Sequence, residues 1–340
     1  MRAAVTEEAI TVPAEWAPQK AIWTAWPVDP EQWNGDLETP RHDVAALVRA
    51  LAPNNRLRLL VNGAEAEESA RARLGSAAEI VPLKYGDIWL RDTGPIFART
   101  QEGAVALRFR FNGWGGKFDL PGDHAVGDDI ARLTRMPVQK FGFVLEGGAI
   151  EHDGEGTILA TREVLLNTNR NRWTEQDAET ALRHALGAEK IIWLDGGLKN
   201  DHTDGHVDNV ARFIAPGHVV CQSRSGGDDP NRESFDAVAR GVERATDARG
   251  RKLRVTRIPS PGLVLDNKGE PVPASHLNFV IANGVVVVPV YGTPTAEAAV
   301  GALQALFPTR KVVGLSSRGL LGNGDAGGGS FHCITREEPA

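Results

Sequence analysis

Two periodicities of hydrophobic residues alternate along the chain, one typical of helices and one typical of strands. Between Thr39 and Pro53, apolar residues recur at helical spacing, and a proline follows the threonine as at a helix start. Thr174 and Asp177 resemble a capping box, and Gly187 is suited to end the helix that begins there. Further helices are predicted at 64–74, 124–133, 233–245 and 296–307.

Strand patterns lie between the predicted helices. They are found at 56–61, 105–111, 157–160, 191–194, 219–222, 254–258, 279–290 and 311–315. Because strands and helices alternate, the predicted fold class is α/β. No Pro/Ser-rich linker divides the chain, so residues 1–340 are predicted to form a single domain.

A degenerate repeat is the most informative feature of the chain. Four segments each contain a strand, a glycine-bearing turn and a second strand, which is the pattern of a hairpin, and a fifth segment begins near residue 329. Each segment starts with polar residues, at about 55 to 70 residue intervals, where a buried strand would have apolar ones. If the units close into a ring, these starts meet at its centre. They are Asp92, Glu146, His206 with Asp208, Asn278 and Cys333.

This set of side chains has a recognisable chemical use. A cysteine thiolate is a strong nucleophile, and a nearby histidine can activate it and move protons. Carboxylates bind planar cations such as guanidinium through paired hydrogen bonds. The combination therefore predicts attack by Cys333 on the central carbon of a guanidinium group.

Each of these residues also has an ordinary structural explanation. Asp92 can pair with a neighbouring arginine or cap a turn, Glu146 can belong to a turn, and Asn278 can be a turn or core amide. Free cysteines are most often small buried hydrophobic residues, which is the prediction for Cys221 and an alternative for Cys333.

Three histidine positions at or near the candidate residues need an interpretation, two of them in a possible metal site and one beside the cysteine. His202, His206 and Asp208 are spaced closely enough to suggest a metal site, although a glycine between the histidines argues against a helical ligand face. His332 precedes Cys333 and should point to the opposite side if this segment is extended. It is therefore not predicted to be the catalytic base.

Composition narrows the classes of protein further. Hydrophobic residues make up 41% and charged residues 24% of the 340 residues, which is ordinary for a globular protein. A net charge of −6 argues against a nucleic-acid partner and is compatible with a cationic substrate. Two cysteines exclude a disulfide-rich scaffold. Neither a secretion signal nor an apolar run long enough to span a bilayer is visible, so the protein is predicted to be cytoplasmic.

Six motifs, in order, resemble the agmatine deiminase family, which includes the bacterial peptidyl-arginine deiminase type. They are DIWLRDTGPIF (87–97), FNGWGGK (111–117), LEGGAIEHDGEGTILAT (145–161), DHTDGHVDNVARF (201–213), ASHLNF (274–279) and GGGSFHCIT (327–335). The resemblance runs from about Trp16 to Thr335, which is essentially the whole chain. It implies a pentein, a five-bladed α/β propeller of ββαβ units around a central active site.

The matching motif residues imply roles for the side chains. These are Cys333 as nucleophile, His206 as general acid and base, Asp92 and Asp208 as guanidinium ligands, and Glu146 as a substrate ligand that orients His206. Trp89, Trp114 and Asn278 are implied as further pocket residues.

The resemblance also implies a reaction. Agmatine would be hydrolysed to N-carbamoylputrescine and ammonia through a covalent S-alkylthiouronium on the cysteine, a step toward putrescine, with no metal and no organic cofactor. The partner would be a small cationic guanidino substrate, and penteins of this type suggest a homodimer. Three alternatives stay open: an arginine or peptidyl-arginine deiminase that forms citrulline, a metal-dependent amidohydrolase, and a non-catalytic amine-binding pentein.

Three segments depart from the family pattern. Trp26–Trp33 replaces a W-P-E-R-x-x-x-W type segment, Leu321–Gly327 is longer and richer in glycine, and Thr335–Glu337 replaces Thr-Gln-Gln. All three are expected to line or gate the entrance. The identity of the group at the far end of the substrate is therefore open.

Overall fold

The computed structural model describes residues 10–322 and 328–340, and its helices and strands alternate as predicted. The strands are β1 Gln19–Ala25, β2 Leu57–Val61, β3 Glu79–Pro82, β4 Ile96–Thr100, β5 Gly103–Arg110, β6 Val138–Val144, β7 Ile150–His152, β8 Thr157–Thr161, β9 Lys190–Leu194, β10 Ala211–Ala215, β11 His218–Ser223, β12 Arg254–Pro259, β13 Val280–Ala282, β14 Val285–Val290, β15 Lys311–Ser316 and β16 Arg336–Pro339. The helices are α1 Glu38–Leu51, α2 Ala64–Leu74, α3 Leu90–Thr93, α4 Gly113–Gly116, α5 Asp123–Thr134, α6 Arg162–Leu165, α7 Glu175–Leu186, α8 Arg232–Arg244 and α9 Ala296–Leu306. Short 3₁₀ turns lie at Pro30–Trp33, Gly147–Ala149, Val207–Asn209 and Arg318–Leu320.

The described residues form five small sheets that repeat one unit. In β4–β5–β6, β7–β8–β9, β10–β11–β12 and β13–β14–β15, an antiparallel hairpin is followed by a helix and a strand parallel to the second hairpin strand. The fifth sheet, in the order β16–β1–β2–β3, joins the two ends of the chain through the antiparallel β1–β16 pair. The predicted α/β class and the five ββαβ units are therefore confirmed.

Amphipathic helices cover the sheets and close the core. In α8, Phe235, Val238, Ala239 and Val242 are buried and share one helix face, which packs on β11 and β12. Burying a large apolar side chain of this kind contributes roughly 1.5–3 kcal/mol. Helix α7 has the predicted capping box, formed by Thr174 and the N3 aspartate, and ends at a left-handed glycine.

Predicted and observed elements differ mainly where the sequence lacks a period. The apolar run at 279–290, predicted as one strand from its hydrophobicity, is two strands, β13 and β14, joined by a turn in which Gly284 has a φ of +74°; this is the hairpin that the repeat predicts. Strands β1, β3, β6 and β16 were not among the predicted strands. The sequence of β16 is Arg-Glu-Glu-Pro, which has no strand-like alternation, and its edge pairing with β1 determines its conformation.

The first strand of each of three blades is preceded by a short turn that carries polar side chains. Asp92 lies in α3 before β4, Glu146 is the N-cap of the turn before β7, and His206 is the N-cap of the turn containing Asp208 before β10. These turns contact one another. The ring therefore places the polar starts of separate blades side by side.

Candidate active site

The structure brings together four of the predicted side chains as a buried group, called here the acidic cluster: Asp92, Glu146, His206 and Asp208. Each is at most 6% exposed. His206 Nε2 lies 3.3 Å from Glu146 Oε2, and its Nδ1 lies 3.8 Å from Asp92 Oδ2. Three carboxylates thus surround one histidine in a place from which water is largely excluded.

Cys333 lies against this cluster and is held by Asn278. The Asn278 Oδ1 atom accepts hydrogen bonds from the Cys333 backbone N–H at 3.2 Å and from its thiol at 3.3 Å. Cys333 Sγ also lies 4.0 Å from Asp208 Oδ2. Asn278 donates its own amide to Asn209 Oδ1, which fixes its orientation. The thiol is therefore positioned by one amide beside one carboxylate.

Two glycines permit this close packing. A Cβ at Gly148 would lie 2.5 Å from His206 Nδ1, and the Gly148 N–H donates to Asp92 Oδ1 at 2.9 Å. A Cβ at Gly329 would lie 2.7 Å from the Trp89 ring and 3.1 Å from Cys333 Sγ. The glycine-rich motifs therefore serve the close approach of backbone to reacting groups.

The two predicted tryptophans line the pocket that opens on Cys333. Trp114 donates its indole N–H to Asp92 Oδ2 at 2.8 Å, and Trp89 donates to Asp87 Oδ2 at 2.7 Å. Gln32, Phe118, Leu120, His202, Thr203 and Gly328 complete the described lining. A cavity of about 880 Å³ lies elsewhere and contains none of the predicted site residues.

The surroundings of Cys333 disfavour a thiolate when no cation is bound. Burial raises the pKa of Cys333 well above its ordinary value, and the negative charges of Asp208 and Asp92 raise it further. A bound cation would oppose both carboxylates and favour the thiolate. Cys221 is buried in β11, as predicted, and burial raises the pKa of this thiol to about 12.

The surroundings of His206, in contrast to those of Cys333, favour its charged form. Burial by itself lowers the pKa of His206, but Asp92, Glu146 and Asp208 outweigh burial and raise it to about 9. Burial likewise acts to raise the pKa of Glu146, yet His206 and Arg170 hold that pKa below its ordinary value. At neutral pH the site therefore contains an imidazolium that can donate a proton.

Sequence reasoning missed the residues that support Glu146. The Arg170 guanidinium donates to Glu146 Oε1 at 2.9 Å, and it also pairs with Asp204. Lys117 binds the other oxygen of Asp204 at 2.5 Å, nearer the surface. Arg170 lies in a loop without a motif, so no sequence signal marked it.

A second buried charged group lies behind the Cys333 turn and is called here the arginine cluster: Glu15, Arg91, Glu151, Arg212, Arg336 and Glu337. Arg91 pairs with Glu337 at 2.9 Å, while Arg212 pairs with Glu15 and, at 3.0 Å, with Glu151. The expectation that Thr335–Glu337 lines the entrance is wrong. Because this segment leads into β16 and pairs with β1, its charged side chains turn into this cluster.

One of the other two departing segments contributes to the pocket. Within Trp26–Trp33, Gln32 lines the pocket, and the Trp33 ring centroid lies 5.9 Å from that of Trp89. Most of Leu321–Gly327, namely 323–327, lies outside the described residues.

The suggested metal ligands are not brought together. In residues 10–322 and 328–340, no group of three His, Cys, Asp or Glu side chains is placed to hold a metal ion. His202 instead packs its ring against Phe118 at the pocket rim, with the ring centroids 5.8 Å apart.

Comparison with known proteins identifies the family and the fold. The Porphyromonas-type peptidyl-arginine deiminase family matches residues 11–339. The agmatine deiminases of Pseudomonas syringae pv. syringae and Stutzerimonas stutzeri are 37% and 38% identical, each over 97% of this chain and 95% of the relative. The structure of the Enterococcus faecalis agmatine deiminase has a TM-score of 0.92 at 29% identity, covering 99% of this chain and 98% of that one. The expected pentein fold is confirmed, and the chain belongs to the Porphyromonas-type peptidyl-arginine deiminase family.

Proposed function

We propose that this protein hydrolyses agmatine to N-carbamoylputrescine and ammonia, with Cys333 as the nucleophile. The observation that carries the proposal is a buried thiol beside Asp208, in a cluster whose carboxylates outnumber its cations. Among the described residues, no group hydrogen-bonds Asp208 Oδ1. A planar guanidinium bound between Asp92 and Asp208 would supply the missing positive charge and place its central carbon near the thiol.

The first half of the reaction uses the acid form of His206. Substrate binding offsets the charges of Asp92 and Asp208, so the thiol of Cys333 releases its proton to solvent through the pocket. The thiolate then forms a bond to the guanidinium carbon, and the electron pair of the C=N bond moves onto nitrogen. His206, whose pKa is raised to about 9, then donates its proton to the departing nitrogen. The C–N bond breaks, ammonia leaves, and an S-alkylthiouronium remains on the cysteine.

The second half uses the same histidine as a base. Neutral His206 takes a proton from water, and the resulting hydroxide attacks the thiouronium carbon. The C–S bond breaks, which returns the thiolate and releases the ureido product. Glu146, at 3.3 Å from Nε2, orients the imidazole in both steps. Arg170 in turn fixes Glu146.

The described part of the pocket favours agmatine over free arginine. An arginine substrate needs a cationic group for its carboxylate, yet no lysine or arginine is among the described lining residues. Arg91 and Arg212, which lie within two of the six motifs, are instead paired with glutamates of the arginine cluster. Asp87 does line the pocket, and burial raises its pKa to about 7. An ammonium at the far end of the substrate would favour its ionised form.

The wider setting of the enzyme is also proposed. We infer one catalytic domain over 1–340, a cytoplasmic location, and a homodimer without a nucleic-acid partner. The continuous ring of blades supports the single domain, and the net charge of −6 supports the absence of a nucleic-acid partner. Within the described residues, no helix combines the length and apolar character needed to cross a bilayer. Cell fractionation tests the location, and light scattering of the purified protein at two salt concentrations tests the dimer.

The decisive experiment measures ammonia and ureido product from agmatine, free arginine and a C-terminal arginyl peptide. The wild type and Cys333→Ala are compared, with and without a chelator. Turnover of agmatine alone is expected, with loss of activity in Cys333→Ala and no effect of the chelator. Cys221→Ala is the matched control, because that thiol is buried in β11 away from the pocket.

Other outcomes would change the proposal in defined ways. Preference for arginine or the peptide would keep the chemistry and reassign the substrate. Loss of activity with chelator would favour the metal-dependent alternative. If none of the three compounds is turned over, labelling of Cys333 by a haloacetamidine distinguishes a reactive enzyme with another guanidine substrate from a binding protein.

A further inference from the structure

His332 lies between the two buried charged clusters. Its Nδ1 is 2.8 Å from Asp208 Oδ2, and its Nε2 is 3.4 Å from Glu15 Oε2 in the arginine cluster. The side chain is 2% exposed and has no place in the pocket lining. The sequence predicted that His332 points away from the reacting face. In the structure its ring contacts Asp208 of the acidic cluster, from outside the pocket lining.

The proton on the His332 ring can be assigned from its partners. Burial lowers the pKa of His332 well below its ordinary value, and Arg212 and Arg91 lower it further, so the ring is neutral and carries one N–H. Ionised Asp208 can only accept hydrogen bonds. Of the two carboxylates beside the ring, Asp208 is the nearer, with 2.8 Å from Nδ1 to Oδ2 compared with 3.4 Å from Nε2 to Glu15 Oε2. The N–H therefore lies on Nδ1 and is donated to Asp208 Oδ2.

This hydrogen bond determines which oxygen of Asp208 is free for substrate. Oδ2 is occupied by His332 and faces Cys333 Sγ at 4.0 Å. Oδ1 is buried and has no hydrogen-bond partner among the described residues. A carboxylate that is held at one oxygen presents its other oxygen in a fixed direction. Less conformational entropy is therefore lost when the carboxylate binds a planar cation.

We propose that His332 is a positioning residue that orients Asp208 for guanidinium binding through the Nδ1–H···Oδ2 hydrogen bond. This inference rests on the proposed function in one respect, namely that Asp208 binds the cationic end of the substrate. The ring is not needed to shape the Cys333 turn, because the His332 backbone N–H is held by Asn278 and its carbonyl by Arg91. Loss of the ring hydrogen bond should therefore affect cation binding more than thiol placement.

The test compares alkylation of Cys333 by chloroacetamidine, a planar cation, with alkylation by neutral iodoacetamide. The alkylated Cys333 peptide is quantified by mass spectrometry. His332→Leu removes the N–H at similar size, and the ratio of the amidine rate to the iodoacetamide rate should fall about 10-fold or more. The KM for agmatine should rise more than kcat falls. A purely structural role would slow both reagents alike.

Two amide variants provide an independent measurement. An asparagine amide reaches roughly the position of Nδ1, whereas a glutamine amide reaches that of Nε2. His332→Asn should therefore keep most of the amidine preference and His332→Gln should lose it, even if His332→Leu does not fold. Equal preference in the two amide variants, or an unchanged ratio in a folded His332→Leu, would overturn the proposal.

The matched control is His276, another fully buried histidine, which donates to the Pro289 carbonyl at 2.8 Å and has no carboxylate partner within the described part of the chain. His276→Leu should lower stability without changing the ratio of the two alkylation rates. The experiment also separates this inference from the proposed function. If the wild type shows no amidine preference, cation binding by Asp208 fails and both fall together. If the wild type shows the preference and His332→Leu retains it, His332 alone is reassigned.

Discussion

Two buried charged groups meet at the centre of this protein, and they are balanced differently. In the arginine cluster, three glutamates are matched by three arginines, with Arg212 between Glu15 and Glu151. In the acidic cluster, three carboxylates share one histidine and the single arginine that binds Glu146. The two groups lie on either side of the Cys333 turn, joined by His332. Only the group that faces the pocket has more carboxylates than cations.

The difference separates a structural use of buried charge from a functional one. Buried charges are costly unless paired, and the arginine cluster meets that requirement within the protein. In the acidic cluster, the carboxylates outnumber the cations, and a cationic substrate would supply the missing positive charge. As long as no cation is bound, Asp208 and Asp92 raise the pKa of Cys333. Binding and thiol activation are thereby linked through one set of charges. Removing one charge from each cluster should then have different consequences.

The largest effect is expected from Arg212→Met in the arginine cluster. This change leaves Glu15 and Glu151 buried without their cation, which should cost about 3–5 kcal/mol of unfolding free energy. Urea denaturation measures the loss. The control is Arg249→Met, which breaks an exposed pair with Glu189 and should cost less than about 1 kcal/mol. Equal losses in the two variants would show that burial of the pair does not matter.

Asp208→Asn should affect function more than stability. We expect kcat/KM for agmatine to fall about 100-fold, because one of the two proposed guanidinium ligands is lost. The same change should lower the pKa of Cys333, since Asp208 is one of the charges that raise it. Iodoacetamide should therefore alkylate the free enzyme faster at pH 7 while catalysis becomes slower. Slower alkylation together with slower catalysis would contradict the assigned electrostatics.

The histidine of the acidic cluster should give stability a specific pH dependence. The pKa of His206 rises from 6.5 to about 9 on folding, so its charge contributes stability in full below about pH 6.5. That contribution is lost as the pH rises through about 9. Denaturant midpoints of the wild type should therefore fall between pH 6.5 and 9.5 by more than those of His206→Gln. Parallel curves for the two proteins would mean that His206 is not charged in the fold.

The sequence predicted one of the two clusters much better than the other. Asp92, Glu146 and Asp208 were found because they interrupt a repeat of apolar hairpins, and each is the polar start of a unit. The arginine cluster has no such signal, because its members are dispersed from Glu15 to Glu337 and look like ordinary surface charges. Long-range pairing, which a single sequence does not encode locally, brings them together.

The same reasoning applies to the fold. Blades made of consecutive hairpins, helices and strands were predicted because hydrophobic periodicity is a local property. For the blade built from both chain ends, the start of a fifth unit near residue 329 was predicted but strands β1 and β16 were not, since β16 is short and charged and acquires its role only by pairing with β1. Arg170 was missed for a related reason, because it supports Glu146 from a loop 24 residues away.

The smallest effect is expected from Lys117→Met, at the most exposed residue of the chain of contacts that leads through Asp204 and Arg170 to Glu146. Lys117 binds Asp204 at 2.5 Å and is partly exposed, whereas Arg170 also pairs with Asp204 and is buried. Lys117→Met should change unfolding free energy by less than about 1 kcal/mol. Agmatine kcat/KM should change less than about 3-fold, because Arg170 still fixes Glu146. Arg170→Met, measured beside it, should lose far more activity. If the lysine variant loses as much as the arginine variant, the support depends on the loop that Asp204 anchors rather than on the Arg170–Glu146 pair.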